Sequence, residues 1–179
     1  MNKSKLSLRF IAYLIDWYVG ALLTGLPITF LSQKINGTMT QLNLLEYPSK
    51  YSIIVGILSL LLGNLYYCII PIYKYKYKGQ TLGKHICRLK IVKIDDSDVD
   101  IKTILIRNFV GIVIIEGSLY TASNILHQLI VIITGFNVIK VLMYISFGIT
   151  LLSVIMLIMT DENRSLHDWL ADTKVISIS

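Results

Sequence analysis

Charge is scarce in this chain. Asp, Glu, Lys and Arg make up 16% of its residues, against about 25% in an average soluble domain. Cysteine is scarcer still: Cys68 and Cys87 stand alone, with no CxxC pair, which excludes a disulfide framework and a cysteine zinc site. His85, His127 and His167 are scattered and no HExxH occurs, so no metal is expected. No motif places a nucleophilic serine or cysteine, and the paired aspartate motifs of intramembrane proteases are lacking. The run GQTLGK lacks the spacing, and the following Ser or Thr, of a phosphate-binding loop. The chain therefore reads as no enzyme and as needing no cofactor. Its formal charge of +6 does not point to nucleic acid, because the basic residues flank apolar segments and form no soluble face with stacking aromatics.

What the chain has is apolar length. Hydrophobic residues make up 54% of it and come in long runs, the pattern of membrane spans of about 20 residues. Runs at about 10–31, 51–72, 103–122 and 138–159 predict four transmembrane helices. Lys3, Lys5 and Arg9 resemble a signal-peptide head, but Asp16 interrupts the apolar stretch and no A-x-A site follows, so the first run is expected to be a retained span. Pro27 is placed to kink its outer end, and Asn64 is the one strongly polar side chain of the second. The stretch 118–136 is apolar yet holds Ser118, Asn124, His127 and Gln128.

Between the spans lie a polar loop at 32–50, a basic loop at 73–102 and a tail at 160–179. Alternating Tyr and Lys at 73–78 put rings and cationic heads at a bilayer surface, where anionic headgroups are the expected partner. Residues 89–94 and 174–178 each alternate and are expected to pair as a β-hairpin-like unit. The fold class is thus an all-α membrane bundle with a small cytoplasmic strand pair. Fourteen of the seventeen Lys and Arg fall in 1–9, 73–107 and 161–179, leaving Lys34, Lys50 and Lys140 outside. Positive-inside bias then sets both termini in the cytoplasm. Parity requires 103–136 to be one long or broken span with an external continuation.

Ionisable residues inside spans carry the functional information, since each costs at least ~2.5 kcal/mol at mid-membrane. Arg9 and Asp16 share a helix face, about 10 Å apart along the axis, and Arg9 can snorkel toward phosphate. Arg107 is the expected partner of Asp16, with Glu116 farther out, facing a cavity or the outer interface. Two readings of Asp16 stand side by side: an ion- or proton-binding carboxylate, or half of a buried pair that fixes helix register.

RFIAYLID (Arg9, Ala12, Asp16), GQTLGKHICRLKIV (Gly79 to Val92), Arg107-Asn108 and RSLHDWLADTKVI (Arg164 to Ile176) follow in order along nearly the whole chain. Together they resemble the RDD family of bacterial and archaeal membrane proteins, named for one arginine and two aspartates. Asp168 looks like the second aspartate, and is expected to help bind the tail to the basic loop. Arg88 and Asp172 depart from the family by standing where glycine is usual. The resemblance implies a prokaryotic plasma membrane location and transport or exchange of a small ion or solute. Arg9, Asp16, Arg107 and Asp168 would form the charged pathway, with Glu116, Asn64 and His167 secondary. Four helices make a narrow conduit, so a homo-oligomer is expected. A non-catalytic accessory or immunity-type protein that docks a partner is the alternative.

Overall fold

An uninterrupted apolar run forms helix because only internal hydrogen bonds satisfy its backbone in lipid. The computed structural model describes residues 2–40, 42–76, 78–117 and 119–178, with the backbone alone for Asn2 and Lys3. Tyr77 of the Tyr/Lys stretch and Ser118 of the ambiguous stretch lie outside the described residues. Helix α1 runs Leu6–Asn36 with Pro27 inside it, and ends where Gly37 turns left-handed. Helix α2 runs Ser49–Tyr73, π-wound at Leu65–Ile69. The two pack against each other. Small buried residues line the contact, with Gly20 of α1 against Tyr67 and Gly63 of α2 against Thr24, as suits helices that associate without a hydrophobic driving force.

The chain then turns into a short helix α3 (Leu82–Ile86) and strand β2 (Leu89–Lys93). The third apolar run is not one straight helix over 103–122. Helix α4 covers Ile101–Glu116, capped by the Asp100 carboxylate, and α5 covers Thr121–Thr134, bent from α4 by 60°. Gly117 makes the break, in the left-handed region at φ 49°, where a side chain would strain the backbone. Glu116 contacts Ser153, six residues before the end of helix α6 (Ile139–Met159). Residues Leu105–Glu116 of α4 are π-wound. Among the described residues, three helices are long and apolar enough to cross a membrane, or four spans if the bent pair is one broken span.

After α6 come helix α7 (Leu166–Leu170) and strand β3 (Thr173–Ser177). The expected strand pair is present: β2 and β3 are antiparallel, with Ile91 opposite Val175. A third strand, β1 (Asn2–Lys3), adds to the free edge of β3, so β3 is central. This places the start of α1, the 79–100 segment and the tail at one end of the bundle. The result is an all-α membrane protein carrying a small antiparallel sheet.

Arg88 and Asp172, the two departures at glycine positions, adopt φ 52° and φ 49°. Each ends a short helix and reverses the chain into a strand, so glycine's usual presence there has a backbone reason. Holding a non-glycine residue left-handed costs about 1–2 kcal/mol. Both side chains are exposed, and Asp172 reaches only a 3.9 Å ion pair with Arg164. Arg88→Gly and Asp172→Gly are each expected to raise stability by about 0.5–1 kcal/mol, read as a higher Tm in detergent. The opposite sign would mean that these side chains contribute more than the strain they impose.

Candidate functional site

Asp16 is buried in the middle of α1, where an ionised carboxylate requires donors. The Tyr66 hydroxyl of α2 donates to Oδ1 at 2.6 Å, and the Gly83 N–H donates to the same oxygen at 2.8 Å. Thr81 Oγ1 donates to Oδ2, and Lys84 Nζ lies 3.3 Å from it. Thus the GQTLGK run is not a phosphate loop but a carboxylate cradle built around an aspartate of the same chain. Gly83 is required because α3 seats directly on α1: a Cβ there would lie 2.2 Å from the Ala12 carbonyl oxygen. Gln80 fixes the cradle from behind, its Nε2 donating to the Leu89 carbonyl at 2.8 Å. Burial pushes the Lys84 amine below its ordinary pKa; Asp16 opposes this and Arg107 adds to it.

A second buried carboxylate, Asp168, gathers the two arginines. Arg107 Nε and Nη2 donate to Oδ1 at 3.0 and 2.8 Å, and Arg9 Nη2 donates to Oδ2 at 2.9 Å. The Ser165 side chain and N–H also reach Oδ2, in a capping box that starts α7. Burial alone would raise the Asp168 carboxyl, but Arg107 and then Arg9 outweigh it and hold the group well below the usual carboxylate range. Its stabilisation is therefore complete above the unfolded value of about 3.9, and is lost only as pH falls through the lower folded value.

Glu116 forms a third cluster. Its Oε2 lies 2.9 Å from His167 Nδ1, and Oε1 accepts from Ser153 Oγ at 2.7 Å and the His167 N–H at 2.9 Å. All three clusters border one cavity of about 450 Å³, lined by Arg9, Asp16, Lys84, Arg107, Glu116 and His167 among others.

The expected pair of Asp16 with Arg107 is not formed. Arg107 belongs to Asp168, and the cation beside Asp16 is Lys84. Asp168, expected to help bind the tail to the basic loop at 73–102, has its ion pairs instead with Arg9 of α1 and Arg107 of α4. Glu116 faces the cavity as one expectation had it, but at the sheet end, against the tail. Asn64 stands apart, donating to the Leu60 carbonyl of its own helix at 2.8 Å. Sequence reasoning missed Tyr66, Thr81 and Lys84 as partners of Asp16. The signal was there: a buried aspartate needs a cation, and GQTLGK brings one with a flanking hydroxyl.

A family model described as the RDD family matches residues 4–172. A relative from Bacillus subtilis (strain 168), described as uncharacterized protein YckC, is 30% identical over 112 residues, covering 62% of this chain. The match spans about half of that relative, 54% of its length. No solved structure matches.

A double-mutant cycle distinguishes the observed pairing from the expected one. Asp16→Asn and Lys84→Met should couple by about 1 kcal/mol or more in unfolding free energy, as contacting residues do. Asp16→Asn and Arg107→Gln should couple less. A larger coupling with Arg107 would contradict the assignment of Lys84.

Proposed function

The chain belongs to the RDD family of membrane proteins, and from that premise we propose that it moves a small ion or solute across a prokaryotic plasma membrane. In this reading the protein is multi-pass, with its sheet and both termini in the cytoplasm. The observation that carries it is the single cavity onto which Asp16, Lys84, Arg107 and Glu116 all open. A carboxylate sealed against arginine would serve only to hold helices. Asp16 instead borders that cavity, beside an amine whose burial eases loss of its proton. Ion exchange at the Asp16–Lys84 pair, with a proton as one candidate partner ion, is the chemistry these groups offer.

The positive-inside bias supports the orientation, because the sheet gathers the lysine-rich segments at one end. The Tyr/Lys stretch at 73–78 then lies at the inner surface against anionic headgroups. The exposed apolar side of α6 gives room for a second copy. The reading is non-enzymatic. Ser165, His167 and Glu116 fall in the order of a hydrolase triad, with Ser165 Oγ 2.9 Å from His167 Nε2. But Ser165 Oγ donates to Asp168 Oδ2 at 2.8 Å in the capping box of α7, so its proton is directed to a carboxylate and not to the imidazole that a hydrolase would use as base. The accessory reading keeps one observation in its favour: four donors already hold Asp16.

Purified protein in liposomes decides between the two. Imposed Na⁺, K⁺ or Cl⁻ gradients, followed with an internal pH dye, should dissipate at least about tenfold faster than in empty liposomes. Asp16→Asn should lose that flux while still inserting and melting cooperatively. No flux of any of these ions from well-folded protein would overturn the transport reading and leave the accessory one.

A further inference from the structure

The cavity has a second character that ion exchange does not use. Its far wall is apolar: exposed Phe10 from α1, Leu119 from the α4–α5 link, and Val154 and Ile158 from α6, with half-buried Leu157 between the last two. Helix α6 packs on α4, α5 and α7, so these side chains border a crevice beside α1. At its polar end, donors outnumber the acceptors present. Arg9 commits one N–H to the Asn163 carbonyl and one to Asp168. Arg107 commits three, two to Asp168 and one to Asn108. A guanidinium carries five, so both retain N–H groups beside the cavity. Asp168 compensates only one of the two arginine charges, Lys84 is matched with Asp16, and Glu116 is taken up by the His167 ring and N–H and by Ser153 Oγ.

Two arginines that share one carboxylate and keep spare donors, at the mouth of an apolar crevice, are complementary to an amphiphile with one anionic head. Arg9 stands in the first turn of α1, at headgroup depth if α1 spans the bilayer, and phosphate is the group that a guanidinium recognises best from there. We propose that this crevice is a binding site for an anionic glycerophospholipid of the inner leaflet. Its phosphate meets Arg9, with Arg107 behind, and an acyl chain lies along Phe10 and Leu157. The lipid would complete the charge balance of the Asp168 cluster and close the crevice from the side. The site is independent of whether the cavity conducts, and distinct from interfacial attraction at 73–78.

The test uses full-length protein with Trp17→Phe and Trp169→Phe, and a single tryptophan reporter read by brominated-lipid quenching. Leu157→Trp lies in the crevice; Ile155→Trp lies near the same depth on α6 outside it. In mixed vesicles, dibrominated phosphatidylglycerol should quench Leu157→Trp at about fivefold lower mole fraction than dibrominated phosphatidylcholine, the size expected of one basic residue facing an anionic headgroup. Ile155→Trp should show no preference. Equal quenching by both lipids at Leu157→Trp, or the same preference at both positions, would overturn the proposal. So would loss of the preference on adding millimolar inorganic phosphate, which would make the site one for a free anion. For the unaltered chain, native mass spectrometry after extraction from equal mixtures should retain phosphatidylglycerol over phosphatidylcholine, and equal retention would count against the site.

Discussion

Asp168 is shared between Arg9 and Arg107, and the sheet end of the bundle depends on that sharing. Two arginines from helices far apart in sequence converge on one fully buried carboxylate. Desolvating such a group is expensive, and only paired, well-hydrogen-bonded charge offsets it. The geometry is met because Ser165 caps the short tail helix and turns Asp168 inward, while Thr173 closes the far side. The tail is thereby fastened to α1 and α4. Its strand β3 then lies between β1 and β2, so the sheet follows from the charge cluster as much as from strand propensity.

Asp16 organises the neighbouring region in the same manner but with different chemistry. Its donors are neutral apart from Lys84, and all but the Tyr66 hydroxyl of α2 come from a loop folded back onto α1. The two aspartates thus divide the basic groups: arginines, which keep their charge, to the cluster that fixes the tail, and an amine able to titrate to the one in the cavity. That division is the physical basis for reading the first as fastening and the second as active.

Much of this was legible in the amino-acid order. Apolar run length located α1, α2 and α6 to within a few residues, because lipid imposes helix on such segments. Alternation located β2 and β3. The contribution of β1 was not visible, since two residues carry no period. Parity calls for a long or broken span over 103–136, but the place of the break, at Gly117, was not visible, because a π-wound helix and a glycine bend leave hydropathy unchanged. Arg9, Asp16, Arg107 and Asp168 were recognisable as the informative charges, yet their pairing was not. Depth along a helix suggested Arg107 for Asp16, whereas the fold returns the loop at 79–86 into the bundle and supplies Lys84. Sequence separation carries no information about which buried cation a carboxylate meets.

The central claim is that charge on Asp168 holds the tail, α1 and α4 together. Thermal unfolding of Asp168→Asn against the unaltered protein tests it most directly, with Arg9→Met/Arg107→Met/Asp168→Leu as the companion. Removing the one carboxylate strands two buried arginines, and breaking a buried pair in this way costs about 3–5 kcal/mol. Asp168→Asn should therefore show a markedly lower Tm, and the all-apolar triple variant should recover most of the loss. An Asp168→Asn protein that melts with the unaltered chain would contradict the account.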